Sequence, residues 1–275
     1  MPPDLPRAAA ADAVVDVDPA LLSAGHLRLH VEGPVLTLTL DRPAARNAQT
    51  PATWRALAAV GAALTDAVRV VVVRGAGASF SAGLDRAMFT GEGIAGEASF
   101  AELAQLPAED LDAVIAGFQR GFTWLRDPRV ISIAAVQGHA VGAGFQLALA
   151  CDLRVLADDA LLSMRETSLG LVPDLGGTGP LVQLVGYPRA LEICATGRWV
   201  DADEAARLGL GELVVPRAEL DQAARDLAAA VLASPAGAVR ETKALLQAAL
   251  GNDPAEQLAA QRRAQARRLR ALAGQ

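Results

Sequence analysis

The chain has 275 residues, of which 52% are hydrophobic and 4% aromatic, and its net charge is −6. This length allows a large buried core, built here mainly from alanine, valine and leucine. The acidic balance argues against a general nucleic-acid binder.

The sequence does not predict a secreted protein or a membrane protein. Cys151 and Cys194 are too few for the disulfide framework of a small secreted protein, so we expect a reducing, cytoplasmic location. No apolar run reaches the roughly 18 residues of a membrane span. The N-terminus has no charged segment followed by an apolar one, so no secretory signal is expected. We therefore expect neither a membrane nor a nucleic acid as partner.

The N-terminal quarter predicts a leader, a hairpin, a helix and a strand. Residues 1–25 are rich in alanine, proline and aspartate without periodicity, which predicts a flexible leader. Residues 26–31 and 35–40 alternate apolar and polar side chains, which predicts a β-hairpin. Thr50 precedes a proline and predicts the N-cap of a helix over residues 50–67. Residues 68–75 are continuous and β-branched, which is typical of a buried strand.

The middle and the C-terminal third differ in their patterns. The elements predicted for the middle are, in chain order, a long connection over 88–108, a helix over 109–126, a buried strand over 130–138, a short apolar helix over 142–152 and two short strands over 153–157 and 160–164. From Gly179 onward, helical apolar spacing recurs over 180–195, 217–233 and 236–250. This pattern predicts an α/β core over residues 26–200 and a helical C-terminal segment over residues 201–275.

Two glycines, Gly75 and Gly77, follow the first buried strand and raise the question of a dinucleotide site. Phe80 replaces the third glycine of that fingerprint, and no helix is predicted to begin at Gly77. We therefore favour a tight turn.

A second group of small residues, Gly142, Ala143 and Gly144, begins the short apolar helix. Small residues let a ligand touch the backbone, and the first amides of a helix have no intrahelical partners. Such an N-terminus stabilises negative charge on a carbonyl oxygen. Close packing of the helix would require the same small residues, so the pattern leaves both interpretations open.

Nucleophilic and metal chemistry are disfavoured. The chain has no G-x-S-x-G segment, and its three histidines, His26, His30 and His139, are scattered. No pair of cysteines has metal-ligand spacing, so we expect no metal site.

Two carboxylates, Glu166 and Asp174, lie in a mostly apolar stretch over residues 165–179. A buried carboxylate costs free energy unless it is paired or used. For Glu166 the alternative to catalysis is an ion pair with Arg165 or another arginine. For Asp174 the alternative is a turn after Pro173, where aspartate and glycine are favoured.

Four segments in order resemble motifs of the enoyl-CoA hydratase/isomerase family, also called the crotonase family. They are LDRPAARNA (40–48), FSAGLD (80–85), VQGHAVGAGFQLALACDLRV (136–155) and ETSLGLVPDLGGTGPLVQLVG (166–186), and ETKALL (241–246) resembles a late helix of the family. The resemblance implies an α/β fold, a crotonase-like spiral of ββα turns followed by a helical C-terminal trimerisation segment. It also implies a homotrimer or homohexamer that binds an acyl-CoA thioester. Coenzyme A would be part of the substrate, with no separate cofactor and no metal.

The resemblance also implies roles for individual residues. The backbone N–H groups of Leu84 and Ala143 would form an oxyanion hole. Glu166 falls on one of two glutamate positions of the hydratases, and Asp174 falls where several isomerases and the aromatic dehalogenases place a functional aspartate. Gln146 occupies the other glutamate position, where its amide cannot accept a proton but can orient water or substrate. Contacts to CoA or substrate are expected at Ala44, Ala45, Arg46, Ala82, Gly83 and Asp85.

Because Gln146 replaces a carboxylate, we favour double-bond isomerisation of an enoyl-CoA, which needs only a carboxylate that moves one proton. Enoyl-CoA hydration is the near alternative, and a non-catalytic acyl-CoA binder is the alternative from another class. Residues 86–108, with Met88, Phe89, Phe100 and Leu103, are expected to line the acyl pocket.

Basic residues leave several interpretations open. Arg46 and Arg86 could meet CoA phosphates or be surface charges. The basic tail over residues 261–275 could reach CoA or a neighbouring subunit, but a solvated helix face is the favoured interpretation.

Overall fold

A six-stranded sheet organises the fold in the computed structural model, which describes residues 15–90 and 93–274. In spatial order its strands are β1 (Leu27–Glu32), β2 (Val35–Leu40), β3 (Val70–Gly75), β4 (Ile131–Val136), β6 (Leu153–Ala157) and β9 (Leu213–Val215). β1 and β2 form the predicted antiparallel hairpin, and every other neighbouring pair is parallel. Parallel neighbours require long crossover connections, which explains why helices separate these strands in the chain.

A three-stranded sheet forms one wall of the cavity described below. Its order is β5 (His139–Val141), β7 (Leu161–Ser163) and β8 (Val200–Asp201), with β5 and β7 parallel and β8 antiparallel to β7. Side chains alternate between the two faces of a sheet, and Ala140, Leu162 and Val200 point into the core. His139 and Trp199, which flank these positions, therefore lie on the opposite face.

Helices cover both faces of the large sheet. They are α1 (Pro19–Ala24), α2 (Pro51–Ala62), α3 (Phe100–Leu103), α4 (Ala108–Thr123), α5 (Ala143–Ala150), α6 (Thr178–Val185), α7 (Tyr187–Thr196), α8 (Ala202–Leu208), α9 (Leu220–Leu232), α10 (Ala236–Ala248) and α11 (Pro254–Leu272). Across residues 15–90 and 93–274, no helix is both long and apolar enough to cross a membrane.

The strand predicted to be fully buried, β3, has core on both faces. Val71 and Val73 belong to the larger core cluster, whereas Val70 and Val72 pack in a second cluster with Ala224 of α9. This two-sided burial confirms the interpretation of the continuous β-branched run.

The predicted start of α2 is also confirmed. The Thr50 hydroxyl accepts a hydrogen bond from the Thr53 amide (3.3 Å), and the Thr53 hydroxyl accepts one from the Thr50 amide (3.1 Å). Pro51 occupies the first helical position, where a missing N–H costs nothing. The helix ends at Ala62, earlier than predicted.

The leader and the C-terminal third differ in part from the prediction. Residues 1–14 of the predicted leader lie outside the described residues, but α1, which Asp18 caps, packs against α2. The helix predicted over 180–195 is two helices, because Gly186 (φ +75°) and Pro188 interrupt it. β9 lies in the segment predicted to be helical, yet it pairs with β6. The sequence did not reveal this strand, because three residues are too short to show an alternating pattern.

Candidate active site

A cavity of about 1220 Å³ brings most of the predicted site residues together. Those that line it are Ala45, Arg46, Ala82, Gly83, Leu84, Asp85, Ala143, Gln146, Glu166 and Asp174. Ala44 is exposed beside this lining rather than part of it, and its contact with CoA stays a prediction.

Buried polar side chains hold the loop that carries Leu84. The Asn47 amide group donates hydrogen bonds to the carbonyl oxygens of Ser79 (2.8 Å) and Phe80 (3.2 Å). The Ser81 hydroxyl donates to the carbonyl oxygen of Asn47 (2.8 Å) and accepts from the Gly83 amide (3.2 Å). Neither side chain was predicted from the sequence, because their only signal is that polar residues occupy a segment that becomes buried.

The Leu84 amide is left free by the pairing of its neighbours. The Gln49 amide donates to the carbonyl oxygen of Gly83 (2.7 Å), and the Asp85 amide donates to the carbonyl oxygen of Gln49 (2.8 Å). Successive peptide groups of an extended chain point in opposite directions, so the Leu84 N–H faces away from Gln49. No acceptor for it exists in the part of the chain that the structure describes.

Ala143 supplies the second free amide, at the first position of α5. Gly142 before it has φ +51° and donates its own amide to the carbonyl oxygen of Ser163 (2.8 Å). The Ala143 N–H has no intrahelical partner, and among residues 15–90 and 93–274 it has no other acceptor. A Cβ atom on Gly83 would lie 3.5 Å from the Ala143 nitrogen, so the two backbone segments adjoin.

Small residues at the start of α5 also serve packing. A Cβ atom on Gly144 would lie 2.6 Å from the carbonyl oxygen of Ser81, which real Cβ contacts do not tolerate. The two interpretations left open by the sequence are therefore compatible: Gly144 permits close packing, and Ala143 presents a free amide.

Glu166 is buried, and its carboxyl group lies against the turn that precedes Ala143. A Cβ atom on Gly142 would be 3.2 Å from Glu166 Oε1. Gln146 Nε2 donates a hydrogen bond of 2.6 Å to Oε1, whereas Oε2 is buried without a hydrogen-bond partner in the described chain. An ion pair with Arg165 or another arginine, the alternative for this residue, is absent from the described residues.

The Gln146 side chain is oriented by three hydrogen bonds. Its Oε1 accepts from the backbone amides of Leu175 (2.9 Å) and Gly177 (3.2 Å), which leaves Nε2 to donate to Glu166. A glutamine in this network can be oriented in only one way, because Oε1 cannot donate and Nε2 cannot accept. Through Gln146, the glycine-rich turn after Asp174 is therefore connected to the carboxylate of Glu166.

Burial sets the protonation behaviour of both carboxylates. Burial raises the pKa of Glu166 above its usual range, and the nearby Asp174 raises that pKa further, against the lowering by the Gln146 hydrogen bond. Burial also raises the pKa of Asp174. A raised carboxyl pKa makes the carboxylate a stronger base, which suits proton abstraction near neutral pH.

One side of the cavity carries the residues expected to contact CoA. Asp85 accepts hydrogen bonds from Arg42 Nη1 (2.5 Å) and from the Ala87 amide (3.0 Å). Burial alone would raise the pKa of Asp85, but these two bonds lower it below its usual range. The Asp85 carboxylate is thus occupied within the chain. Arg46 and Arg86 are exposed at the cavity rim.

An apolar wall occupies the segment predicted to line the acyl pocket. Phe89, Phe100 and Leu103 line the cavity, and the two phenyl rings stack edge to face with centroids 4.8 Å apart. Met88 instead points into the protein, where it is buried outside the lining, so its assignment to the pocket is corrected.

Arg165, Trp199 and His139 are among the cavity residues that the sequence did not predict as members of the site. The Arg165 guanidinium carbon lies 4.9 Å from the centroid of the Trp199 ring, and the His139 ring is edge to face with it at 5.5 Å. The pairing of β7 with β8 brings Arg165 and Trp199 together, and no local pattern in the sequence signals that pairing.

Gly75 and the basic tail lie outside the cavity lining. A Cβ atom on Gly75 would be 2.4 Å from the carbonyl oxygen of Phe80, which fits the tight turn favoured over a dinucleotide site. The basic tail forms most of α11, where Arg267 pairs with Glu241 of α10. Within residues 15–90 and 93–274, no cluster of histidine, cysteine, aspartate or glutamate suits a metal ion.

Comparisons with known proteins show which family and structures the chain is similar to. A family model described as enoyl-CoA hydratase/isomerase matches residues 30–271. A crystal structure from Thermobifida fusca YX, named as an enoyl-CoA hydratase in complex with CoA, is 50% identical with a TM-score of 0.89, over 94% of this chain and 98% of that chain. A structure from the same organism in complex with acetoacetyl-CoA is 52% identical with a TM-score of 0.87, over 91% of this chain and 97% of that chain. The carnitinyl-CoA dehydratase of Salmonella typhi is 37% identical over 229 residues, 81% of this chain and 80% of that protein. The superpositions confirm the predicted crotonase-like fold.

Proposed function

The chain belongs to the enoyl-CoA hydratase/isomerase family, and from this premise we propose that it moves the double bond of an enoyl-CoA thioester through an enolate intermediate. In this proposal Glu166 is the base, and Leu84 and Ala143 donate their amides to the thioester oxygen.

The hydrogen bond between Gln146 Nε2 and Glu166 Oε1 carries the proposal. Water addition in this family uses two glutamates to hold and activate a water, whereas here the second position is an amide that donates directly to the first. The Gln146 oxygen is also occupied by two backbone amides, so it has little capacity left to hold a water. Isomerisation needs one carboxylate, and Glu166 retains a free oxygen, Oε2, for that task.

The proposed reaction follows from where negative charge develops. Glu166 Oε2 removes a proton from the α-carbon of a 3-enoyl thioester, and the electrons move onto the thioester oxygen, where the two amides stabilise them. The resulting dienolate takes a proton at the γ-carbon, which gives the 2-enoyl thioester. The same proton returns from Glu166 or passes through Asp174, so no net proton is gained or lost.

The CoA portion is proposed to lie along Ala44, Ala45, Arg46, Ala82, Gly83 and Asp85. Those residues that line the cavity do so on the side of Leu84. Arg46 and Arg86 are exposed at the rim, where an arginine can pair with a phosphate. The complexes of the Thermobifida fusca relatives with CoA and acetoacetyl-CoA support a ligand of this kind.

Hydration is the second candidate, because relatives are named as hydratases and one is named as a dehydratase. It would require Glu166 alone to activate the water, with Gln146 fixing the carboxylate.

The test is a panel of 2-enoyl-CoA and 3-enoyl-CoA substrates assayed for both reactions, with wild type and Gln146→Glu. Wild type should isomerise faster than it hydrates. Gln146→Glu should raise hydration, because it restores a second carboxylate beside Glu166. Gln222→Glu, at an exposed position of α9 outside the cavity lining, is the matched control and should change neither rate.

Rapid hydration by wild type that Gln146→Glu leaves unchanged would contradict isomerisation and favour the second candidate. Binding of thioesters with no turnover of any of them would favour the non-catalytic binder.

A further inference from the structure

We propose that Arg165, Trp199 and His139 form a subsite for a carboxylate at the far end of the acyl chain. The preferred thioester would then be a monothioester of a dicarboxylic acid. This inference rests on the proposed function, since it names the acyl group for the same cavity.

Arg165 lies over the Trp199 ring, and its side-chain N–H donors are unpaired among the described residues. The guanidinium carbon lies 4.9 Å from the centroid of the Trp199 ring. A guanidinium that contacts an aromatic ring through its face keeps its N–H donors directed outward in its own plane. Those donors match the two oxygens of a carboxylate, which they bind in a bidentate manner.

Arg165 is also an uncompensated charge in the cavity. The other half-buried arginine of the lining, Arg42, pairs with Asp85. Arg198, next to Trp199 in the chain, pairs with both Glu192 and Glu204. Across residues 15–90 and 93–274, no carboxylate pairs with Arg165 and no carbonyl oxygen accepts from its side chain.

Trp199 and His139 hold this cation in place from the small sheet. His139 of β5 and Trp199, which directly precedes β8, both line the cavity, with their rings edge to face at 5.5 Å. His139 Nδ1 is 3.4 Å from the Ser79 hydroxyl, which fixes the imidazole. The Arg165 side chain also runs along Gly197, where an added Cβ atom would be 3.5 Å from Arg165 Cδ.

The position along the cavity favours the acyl group over CoA. Arg165 directly precedes Glu166, whose carboxyl group lies against the turn before Ala143. The arginines available for CoA phosphates, Arg46 and Arg86, belong instead to the segments around Leu84. Arg165 lines the same cavity as the two free amides and the apolar wall of Phe89, Phe100 and Leu103, so in this proposal the far end of an acyl chain that crosses the cavity meets Arg165.

The positive charge of Arg165 would also repel an acyl group that carries a quaternary ammonium. Carnitinyl-CoA, named for the Salmonella typhi relative, carries a quaternary ammonium group. An aromatic ring alone would attract such a cation, but here the ring already bears a guanidinium. We therefore expect this chain to reject quaternary ammonium thioesters.

The experiment compares two saturated thioesters of equal chain length, glutaryl-CoA and pentanoyl-CoA, by titration calorimetry. Saturated thioesters can bind without double-bond movement. Wild type should bind glutaryl-CoA about tenfold or more tightly than pentanoyl-CoA, as a charge-assisted hydrogen bond allows. Arg165→Gln should abolish this preference while the affinity for pentanoyl-CoA and for CoA stays unchanged.

Two substitutions at Trp199 and one control at Arg207 separate the contribution of the cation over the ring from general effects. Trp199→Phe keeps an aromatic face and should retain part of the preference, whereas Trp199→Leu should lose it. Arg207→Gln removes an exposed arginine of α8 and should leave both affinities unchanged.

Three outcomes would overturn the subsite. They are equal affinity of wild type for the two thioesters, equal weakening of both thioesters and of CoA by Arg165→Gln, and tight binding of a trimethylammonium thioester by wild type. If neither thioester nor CoA binds to folded wild type, the proposed function fails together with the subsite.

Discussion

The carboxyl group of Glu166 is buried, which disfavours its charged form. The same burial makes the carboxylate a stronger base. Burial raises its pKa, and Asp174 adds to the effect. The hydrogen bond from Gln146 stabilises the carboxylate without donating a full charge, so the base stays oriented and keeps its proton affinity. Replacing Gln146 with glutamate would add a like charge and raise the pKa of Glu166 further.

Glu166→Gln should reduce turnover of the preferred enoyl-CoA by about a hundredfold or more, because an amide cannot take a proton. The same change should alter the pH dependence of stability. The folded protein binds the Glu166 proton more tightly than the unfolded chain does, so the free energy of unfolding of wild type falls as pH rises from the ordinary carboxyl pKa through the raised one. The variant lacks this decline, so its stability relative to wild type should increase over that window.

Urea unfolding of the two proteins across the pH range measures this difference. Asp112→Asn, at an exposed position of α4, serves as the control for removing a carboxylate at the surface. A wild-type stability that runs parallel to that of Glu166→Gln from pH 4 to pH 8, a range chosen around the ordinary carboxyl pKa, would contradict the raised pKa.

Two elements, α5 and the loop over residues 80–85, supply the free amides. Each depends on a glycine with a backbone conformation that residues with side chains rarely adopt. Gly142 and Gly83 have φ angles of +51° and +83°. These conformations turn the following amides, those of Ala143 and Leu84, out of the usual hydrogen-bonding pattern. The side chains of the donors themselves are free to vary, because only the amide takes part.

Gly83→Ala should strongly reduce activity, because the added Cβ atom would lie 2.4 Å from the carbonyl oxygen of Val141 and push the Leu84 amide away from Ala143. Gly96→Ala is the matched control. Gly96 has φ +80° as well, but its added Cβ atom would have no contact within 4 Å in the described part of the chain. The two variants share the cost of the left-handed backbone, and only Gly83→Ala adds the collision.

Measuring kcat for both variants tests whether the collision at Gly83 impairs turnover. Thermal unfolding of the same variants checks that they are folded. Equal kcat values for Gly83→Ala and Gly96→Ala would mean that the position of the Leu84 segment does not matter for turnover.

Ala143→Pro should nearly abolish turnover in a folded protein, since it removes the amide that we assign to the oxyanion hole. Loss of one such donor typically costs about 3 kcal/mol in the transition state. Proline is tolerated at the first position of a helix, where no intrahelical bond is lost. Ala143→Gly keeps the amide and should retain most of the activity. Steady-state kinetics with circular dichroism checks this pair, and high activity in folded Ala143→Pro would remove Ala143 from the site.

For the whole molecule, the sequence predicts most elements and part of the cavity lining, but not how distant segments meet. The Thr50 cap, the two-sided burial of β3 and the free start of α5 each depend on residues adjacent in the chain, so local patterns reveal them. The stacking of Arg165 on Trp199 and the bonds from Leu175 and Gly177 to Gln146 depend on strand pairing and on a long-range turn. β9 is too short to show a period, and its place beside β6 is decided by the sheet edge that it completes.

The family resemblance implies that this chain assembles into a homotrimer or homohexamer. Leucines of α10, of α11 and of the turn between them remain more than half exposed in the single chain: Leu246, Leu250, Leu258, Leu269 and Leu272. Exposed apolar patches of this kind are typical of protein interfaces. We expect a trimer or hexamer by light scattering at micromolar concentration. The double variant Leu246→Glu with Leu250→Glu should lower the mass, because burying two carboxylates would disfavour the interface. Ala206→Glu, on an exposed part of α8, should leave the mass unchanged. A wild-type monomer, or a double variant that keeps the full mass while folded, would exclude this surface as the contact between subunits.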